Sequence, residues 1–164
     1  MGSSGFRGAD NSFMYKKILV ALENSRADDT LVPHVAELAR RLGSELLLVH
    51  VADGWAARNF DQLKLAESTE MKEDRVYLEN VAGRLRGAGL EVGIELVLGN
   101  PPTEILKTAD TRACDLIAMT SHGHKLIGDF FLGSTIEKVR HNTVIPILVV
   151  RAGTGTGTAN PFGA

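Results

Sequence analysis

Between Thr120 and Thr135 the chain reads TSHGHKLIGDFFLGST, with nine residues separating Gly123 from a Gly133-Ser134-Thr135 triplet. Each part has a use in holding an anion. A glycine lets the backbone turn through positive φ and lets a phosphate approach closely. Ser134 and Thr135 bring hydroxyls and backbone N–H groups to a predicted helix N-terminus, where unpaired donors and the helix dipole favour negative charge. The chemistry implied is phosphate binding by a loop that runs into a helix. A structural turn closed by a serine cap would use the same residues, so the segment alone leaves both readings open.

Two better-defined phosphate motifs are absent. Gly128–Thr135 nearly matches G-x-x-x-x-G-K-[ST], but Ser134 stands where the lysine is required, which excludes a P-loop NTPase. The first strand-to-helix turn, Glu23 to Asp29, contains no glycine, so the G-x-G-x-x-G fingerprint is missing and NAD and FAD are disfavoured. The five histidines, His34, His50, His122, His124 and His141, never pair at ligand spacing, and no metal cluster is expected. Neither a G-x-S-x-G elbow nor a Cys-His nucleophile arrangement is present, so strong catalysis is not expected. Within the loop, Lys125, His122 and His124 offset Asp129, although Lys125 and Asp129 at i, i+4 also read as a solvated pair. His122 reads as a turn-stabilising hydrogen bonder, and His50, inside an apolar strand, as a satisfied core histidine.

The elements that would position this loop alternate along the chain. Apolar runs at Lys17–Leu22, Leu46–Val51, Glu91–Leu98, Asp115–Met119 and Val144–Val150 read as strands. Between them, Leu31, Val35, Leu38, Ala39 and Leu42 recur at helical spacing, as do Met71, Leu78, Val81 and Leu85 within Ser68–Arg86. Gly43 closes the first helix, Gly87 and Gly89 the second, and Pro101-Pro102 open a third. A fourth is expected over Ser134–His141. Strands apolar on both faces and separated by helices imply a parallel sheet covered on each side. Ligands of such sheets sit beyond the carboxyl ends of the strands where the strand order reverses, which selects the loops after Leu22, Val51 and Met119. The Asp53–Ala66 connection, with Trp55 and Phe60, is long enough for a lid or for a simple mobile loop.

At 164 residues and 44% hydrophobic content the chain suits one domain with a two-sided core. That domain is expected over Met14–Arg151. Residues 1–13 read as a loose or appended extension and 152–164 as a disordered tail. Eighteen Lys+Arg against 20 Asp+Glu give a net charge of −2, so no global basic field exists for nucleic acid or an anionic membrane. No apolar stretch approaches the ~18 residues of a membrane span. No signal-peptide core is evident, and the lone Cys114, expected to be buried, suits a reducing compartment; a cytoplasmic protein is the expectation.

Several segments, in order, carry a resemblance: Tyr15–Val20 (YKKILV), Leu48–Val51 (LVHV), Gly99-Asn100-Pro101, Asp115–Gly123 (DLIAMTSHG), Leu132-Gly133-Ser134 and Pro146–Val150 (PILVV). Together they resemble the universal stress protein family across Met14–Arg151. The resemblance implies a doubly wound, open five-stranded parallel sheet with helices on both faces, a Rossmann-like fold that binds adenine nucleotides. The family's nucleotide-binding branch carries G-x2-G-x9-G-[ST]. Gly123, Gly133 and Ser134 fit that pattern, and Thr120 replaces its first glycine. The acidic residue at the end of the family's first strand, usually aspartate, falls on Glu23, and its adenine-contacting position on Val51. By resemblance, Ala21 and Glu23 flank the base and Val51 packs on it. Met119 and Thr120 line the floor, and Gly123, Gly133, Ser134 and Thr135 hold phosphate. The implied role is a stress-response sensor that binds ATP or a related adenine nucleotide, with Mg²⁺ arriving with it and at most slow hydrolysis. The implied assembly is a homodimer through Val144–Val150. A dimeric interaction module without nucleotide is the alternative.

Overall fold

The structure, a computed structural model, describes residues 14–52, 69–121 and 131–152. The elements run β1 (Lys17–Leu22), α1 (Asp28–Leu42), β2 (Glu45–Ala52), α2 (Thr69–Gly87) and β3 (Val92–Leu98). They continue with α3 (Pro101–Thr111), β4 (Leu116–Ser121), α4 (Phe131–His141) and β5 (Ile147–Arg151). All strands are parallel, in the order β3-β2-β1-β4-β5. This is the doubly wound five-stranded sheet expected from the sequence.

Successive strand residues point to opposite faces, so a strand that is apolar throughout needs cover on both. Ile18, Val20, Leu46 and Leu48 face α1 and α2, where Leu31, Val35, Leu78 and Val81 meet them. Leu19, Leu47, Val49, Ile117 and Met119 form the other layer with Ile105 and Ala109 of α3 and Val139 of α4. The first three strands step one way across the sheet and the last two step the other way. Right-handed crossovers then place the two helix pairs on opposite faces. Gly43 ends α1 in the left-handed region, φ 70°, with its N–H donated to the Ala39 carbonyl.

Several boundaries differ from the sequence expectation. β4 begins at Leu116 because the Asp115 carboxylate leaves the strand to accept the backbone N–H groups of Lys16 at 2.7 Å and Lys17 at 2.9 Å, fastening β1 to β4. At its other end β4 continues through Thr120 and Ser121, which pair with Val150 and Arg151, so Thr120 belongs to a strand and not to the loop. β5 starts at Ile147 and not Val144. Pro146 has no N–H to give a ladder, and only its carbonyl joins in, accepting from Ile117 at 3.0 Å, while Val144 is fully exposed. α4 begins at Phe131, which puts Gly133, Ser134 and Thr135 within its opening turns. The Asp53–Ala66 connection and the loop residues His122, Gly123, His124, Lys125 and Asp129 lie outside the described residues.

Candidate functional site

β1 stays paired with β2 to its last residue, Leu22 opposite His50, but pairs with β4 only as far as Val20 opposite Ala118. Past that point the two central strands part. The parting falls where the strand order reverses, so Ala21 to Glu23 on one side and Met119 to Ser121 on the other bound a crevice at the carboxyl edge of the sheet. β2 also outruns β1: Val51 and Ala52 pair with Val97 and Leu98 of β3, and their β1 side borders the crevice mouth.

A side-chain hydrogen bond spans the parted strands. The Thr120 hydroxyl, on a residue only 1% exposed, donates to Glu23 Oε1 at 2.7 Å. The Ser25 hydroxyl lies 3.3 Å from the other carboxylate oxygen, Oε2. Glu23 and Thr120, proposed from sequence as separate contacts, form one unit.

The turn after β1 explains in physical terms why no glycine fingerprint is needed. Asn24 takes positive φ, 58°, and the backbone N–H groups of Glu23, Asn24 and Ser25 all converge on the Asp28 carboxylate at 2.9 to 3.3 Å. Converging N–H groups of this kind make an anion cradle. In dinucleotide-binding folds the equivalent turn takes a pyrophosphate. Here the chain fills the cradle with its own carboxylate, which leaves that turn closed to a ligand's phosphate. Tyr77 of α2 donates to the same carboxylate at 2.6 Å. Burial pushes the Asp28 carboxyl above its ordinary value, against the lowering effect of those hydrogen bonds.

Burial, reinforced by the Asp28 acceptor, raises the Tyr77 phenol far above the ordinary tyrosine value of 10.0. A group whose folded pKa is raised contributes stability that is complete below the unfolded value and is lost as pH climbs toward the folded one. Stability should therefore fall with pH above about 10 in the native chain and less steeply in Tyr77→Phe. Chemical denaturation across the alkaline range measures both slopes, and equal slopes would rule out a buried, bonded phenol.

A second chain of contacts joins the same elements. His50 Nδ1 lies 2.9 Å from the Leu22 carbonyl, which accepts only, so that nitrogen carries hydrogen. Nε2 lies 3.3 Å from Asp74 Oδ2, and Asp74 Oδ1 accepts from the Asn24 amide at 2.9 Å. His50 is thus a satisfied core histidine. These groups border a cavity of about 410 Å³ at the β1 and β2 ends, lined by Glu23, Asn24, His50, Val51, Glu73 and Asp74. With three carboxylates, its wall suits hydrogen-bond donors and repels phosphate.

Of the sequence-proposed residues, Glu23 and Val51 meet at this cavity, and Ala21, Val51 and Met119 share the apolar layer beneath the crevice. Thr120 stands across from Glu23, and Thr135 is buried in α4. Gly133 and Ser134 lie in the opening turns of α4, and Gly123 is outside the described residues. Sequence reasoning missed Asn24, Asp28, Asp74 and Tyr77. The spacing of Asp74 and Tyr77, one helical turn apart, was the available signal. Among the described residues no group of three or more His, Cys, Asp or Glu could hold a metal ion, and no helix is long and apolar enough to cross a membrane. Cys114 is buried, its thiol pushed up to about 11 by burial, as suits a packing residue.

The family model described as Universal stress protein family matches residues 14–151. Universal stress protein MJ0577 of Methanocaldococcus jannaschii is 30% identical over 157 residues, spanning 85% of this chain and 97% of that protein. The solved structure of hypothetical protein MJ0577 is similar at a TM-score of 0.72 and 29% identity, covering 87% of this chain and 99% of that one. The universal stress protein from Archaeoglobus fulgidus in complex with dAMP shares the fold at a TM-score of 0.62 and 21% identity, covering 82% and 97%. A universal stress protein in complex with cAMP does so at 0.62 and 18%, covering 85% and 98%.

Proposed function

The chain belongs to the universal stress protein family, and from that premise we propose that it binds an adenine nucleotide, ATP or a close relative, in the crevice between β1 and β4, and uses occupancy as a stress-response signal. The parting of β1 from β4 at the strand reversal, with Glu23 and Val51 brought to one cavity, is the observation that carries this reading. The edge of β2 beyond β1 offers backbone donors and acceptors suited to a base, and the partly buried Ala21 and Val51, packed over Met119, offer an apolar surface for its face. The carboxylates at this end direct the phosphates away, toward the opening turns of α4 with Gly133, Ser134 and Thr135. Mg²⁺ would accompany those phosphates. Two neighbours of the same fold, described as complexes with dAMP and cAMP, support adenine nucleotides as the ligand class. At most slow hydrolysis is part of this reading: among the described residues the imidazole lining the cavity is His50, and both of its nitrogens are engaged.

Mass spectrometry of ligand released from denatured protein, followed by calorimetric titration with ATP, ADP and AMP in Mg²⁺, tests this. Bound adenine nucleotide or micromolar affinity is expected. The three carboxylates of the cavity favour a second reading, a module that has given up nucleotide and works through protein contacts, and absence of heat at millimolar nucleotide would select it.

The protein is further proposed to be a homodimer through Val144–Val150, at work in the cytoplasm. β5 is an edge strand with Val149 43% exposed, beside an apolar groove of Ile136, Ile145 and Ile147. Such an edge invites pairing with a second copy across a two-fold axis. Val149→Lys should convert a dimer to a monomer in analytical ultracentrifugation; an unchanged mass would move the interface elsewhere.

A further inference from the structure

We propose that Asp74 of α2 is a positioning residue of the candidate site and that it acts through a proton held on His50, so that nucleotide affinity falls as pH rises. This rests on the adenine-nucleotide reading above and adds acidity, as a second signal, to the occupancy that the chain reports.

An uncharged imidazole carries one hydrogen, and in either tautomer the other nitrogen is bare and can only accept. Both nitrogens of His50 face acceptors: Nδ1 lies 2.9 Å from the Leu22 carbonyl, and Nε2 lies 3.3 Å from Asp74 Oδ2. A single hydrogen satisfies one contact and sets a lone pair against oxygen at the other, and exchanging tautomers only moves the conflict. Two hydrogens satisfy both. The imidazolium then donates to the carbonyl and forms an ion pair with the carboxylate. The His50 and Asp74 side chains are 12% and 9% exposed, so water does little to relieve the conflict or to screen the pair.

The charges around the ring come from several elements. At the end of β1 Glu23 borders the same cavity, and from α2 so do Glu73 and Asp74. α1 brings Asp28, which is bound to the backbone of the β1 turn and to Tyr77. β3 sets Leu96, which has no charge, beside His50. Among the described residues lining the cavity, His50 is the one that can carry positive charge.

Loss of the proton acts on the site in two ways that run in the same direction. The wall loses its positive charge and repels a phosphate-bearing ligand more strongly. Nε2 also turns a lone pair toward Asp74, whose other oxygen, Oδ1, accepts from the Asn24 amide at 2.9 Å. That bond helps to hold Asn24 in the left-handed region, φ 58°, between Glu23 and Ser25. Pushing Asp74 off the ring therefore loosens the turn that brings Glu23 to the cavity. A ligand that prefers the protonated chain takes up a proton as it binds, and by linkage its affinity declines as pH climbs.

Calorimetric titration of ADP with Mg²⁺ against the native chain and Asp74→Asn, from about pH 5 to about pH 8 where histidine side chains change charge, provides the test. Asparagine at this position keeps an oxygen for Asn24 and offers an N–H to Nε2, so a neutral ring with its hydrogen on Nδ1 satisfies every contact. Native affinity should fall about fivefold more across the range than that of Asp74→Asn. Protonation of the ADP phosphates is common to both proteins and cancels in the comparison. A merely structural Asp74 would shift affinity by one factor at every pH, so equal slopes overturn the inference and leave the nucleotide reading standing. Absence of binding at every pH sinks both. Nitrogen NMR of the His50 ring in the native chain needs no variant and decides the matter if Asp74→Asn fails to fold. Hydrogen on both nitrogens at the acid end and loss of the Nε2 hydrogen as pH rises is expected, and a ring whose hydrogen count stays constant across the range overturns the proposal.

Discussion

Replacing Asp28 by alanine should cost about 3–5 kcal/mol of folding free energy. The carboxylate accepts from the backbone N–H groups of Glu23, Asn24 and Ser25 and from the Tyr77 hydroxyl, and it is 2% exposed. Deleting it strands all of these donors at once, at about 1–3 kcal/mol for each that stays buried without a partner. Water entering the vacated space keeps the total below their sum. The ionised group is itself penalised by burial, as its raised pKa indicates, so the loss comes from orphaned donors and not from a strong charge. Urea denaturation measures the change. Tyr77→Phe, which removes one donor and leaves the cradle full, should cost about 1 kcal/mol. A loss in Asp28→Ala no larger than that would show that the turn holds its shape without the carboxylate.

Gly133→Val should weaken adenine-nucleotide binding about 100-fold, roughly 2.7 kcal/mol, while leaving the unfolding midpoint level or slightly raised. Glycine inside a helix is unfavourable by about 1 kcal/mol relative to alanine, and valine is less so. α4 begins at Phe131, so Gly133 lies within the helix and not at a turn that demands it. A residue that weakens its own helix needs another use, and close approach of a phosphate supplies one. The two readouts separate site from scaffold: affinity should fall as stability holds. Normal binding by Gly133→Val in calorimetry would remove α4 from the phosphate site.

The fold was legible because its signal is repeated. KILVAL, LLLVHV and DLIAM are apolar at odd and even positions alike, and only strands covered on both faces use such runs. The helices between them show their apolar stripes, and Gly43 and Pro101-Pro102 mark ends where backbone geometry requires them. The misplaced boundaries lie where hydropathy and hydrogen bonding diverge. Val144 is apolar but exposed, and Thr120 is polar but buried in a strand. Of the candidate site, the loops after Leu22, Val51 and Met119 were visible because the reversal of strand order limits where a ligand can sit, and Glu23, Val51 and Thr120 were singled out by the family resemblance. That Thr120 and Glu23 bond to each other was not visible, because it depends on how far β1 and β4 part. Nor was the Asp28 cradle, whose members matter through backbone N–H groups that a sequence does not distinguish.

The central place of β1 bears on how the chain assembles. Lys17 and Asp115, which fasten β1 to β4, are 98 positions apart. Synthesis delivers β1, β2 and β3 with their two helices first, and that portion leaves Leu19, Leu47 and Val49 uncovered until α3, β4 and α4 arrive. Contacts this distant in sequence are slow to form, and the earlier portion meanwhile exposes apolar surface to other chains. The crevice comes into being only when β4 docks, so it is among the last features completed. A ligand that occupies it binds the finished protein and not the half-built one, and by mass action draws newly made chains through the step at which they are most prone to aggregate.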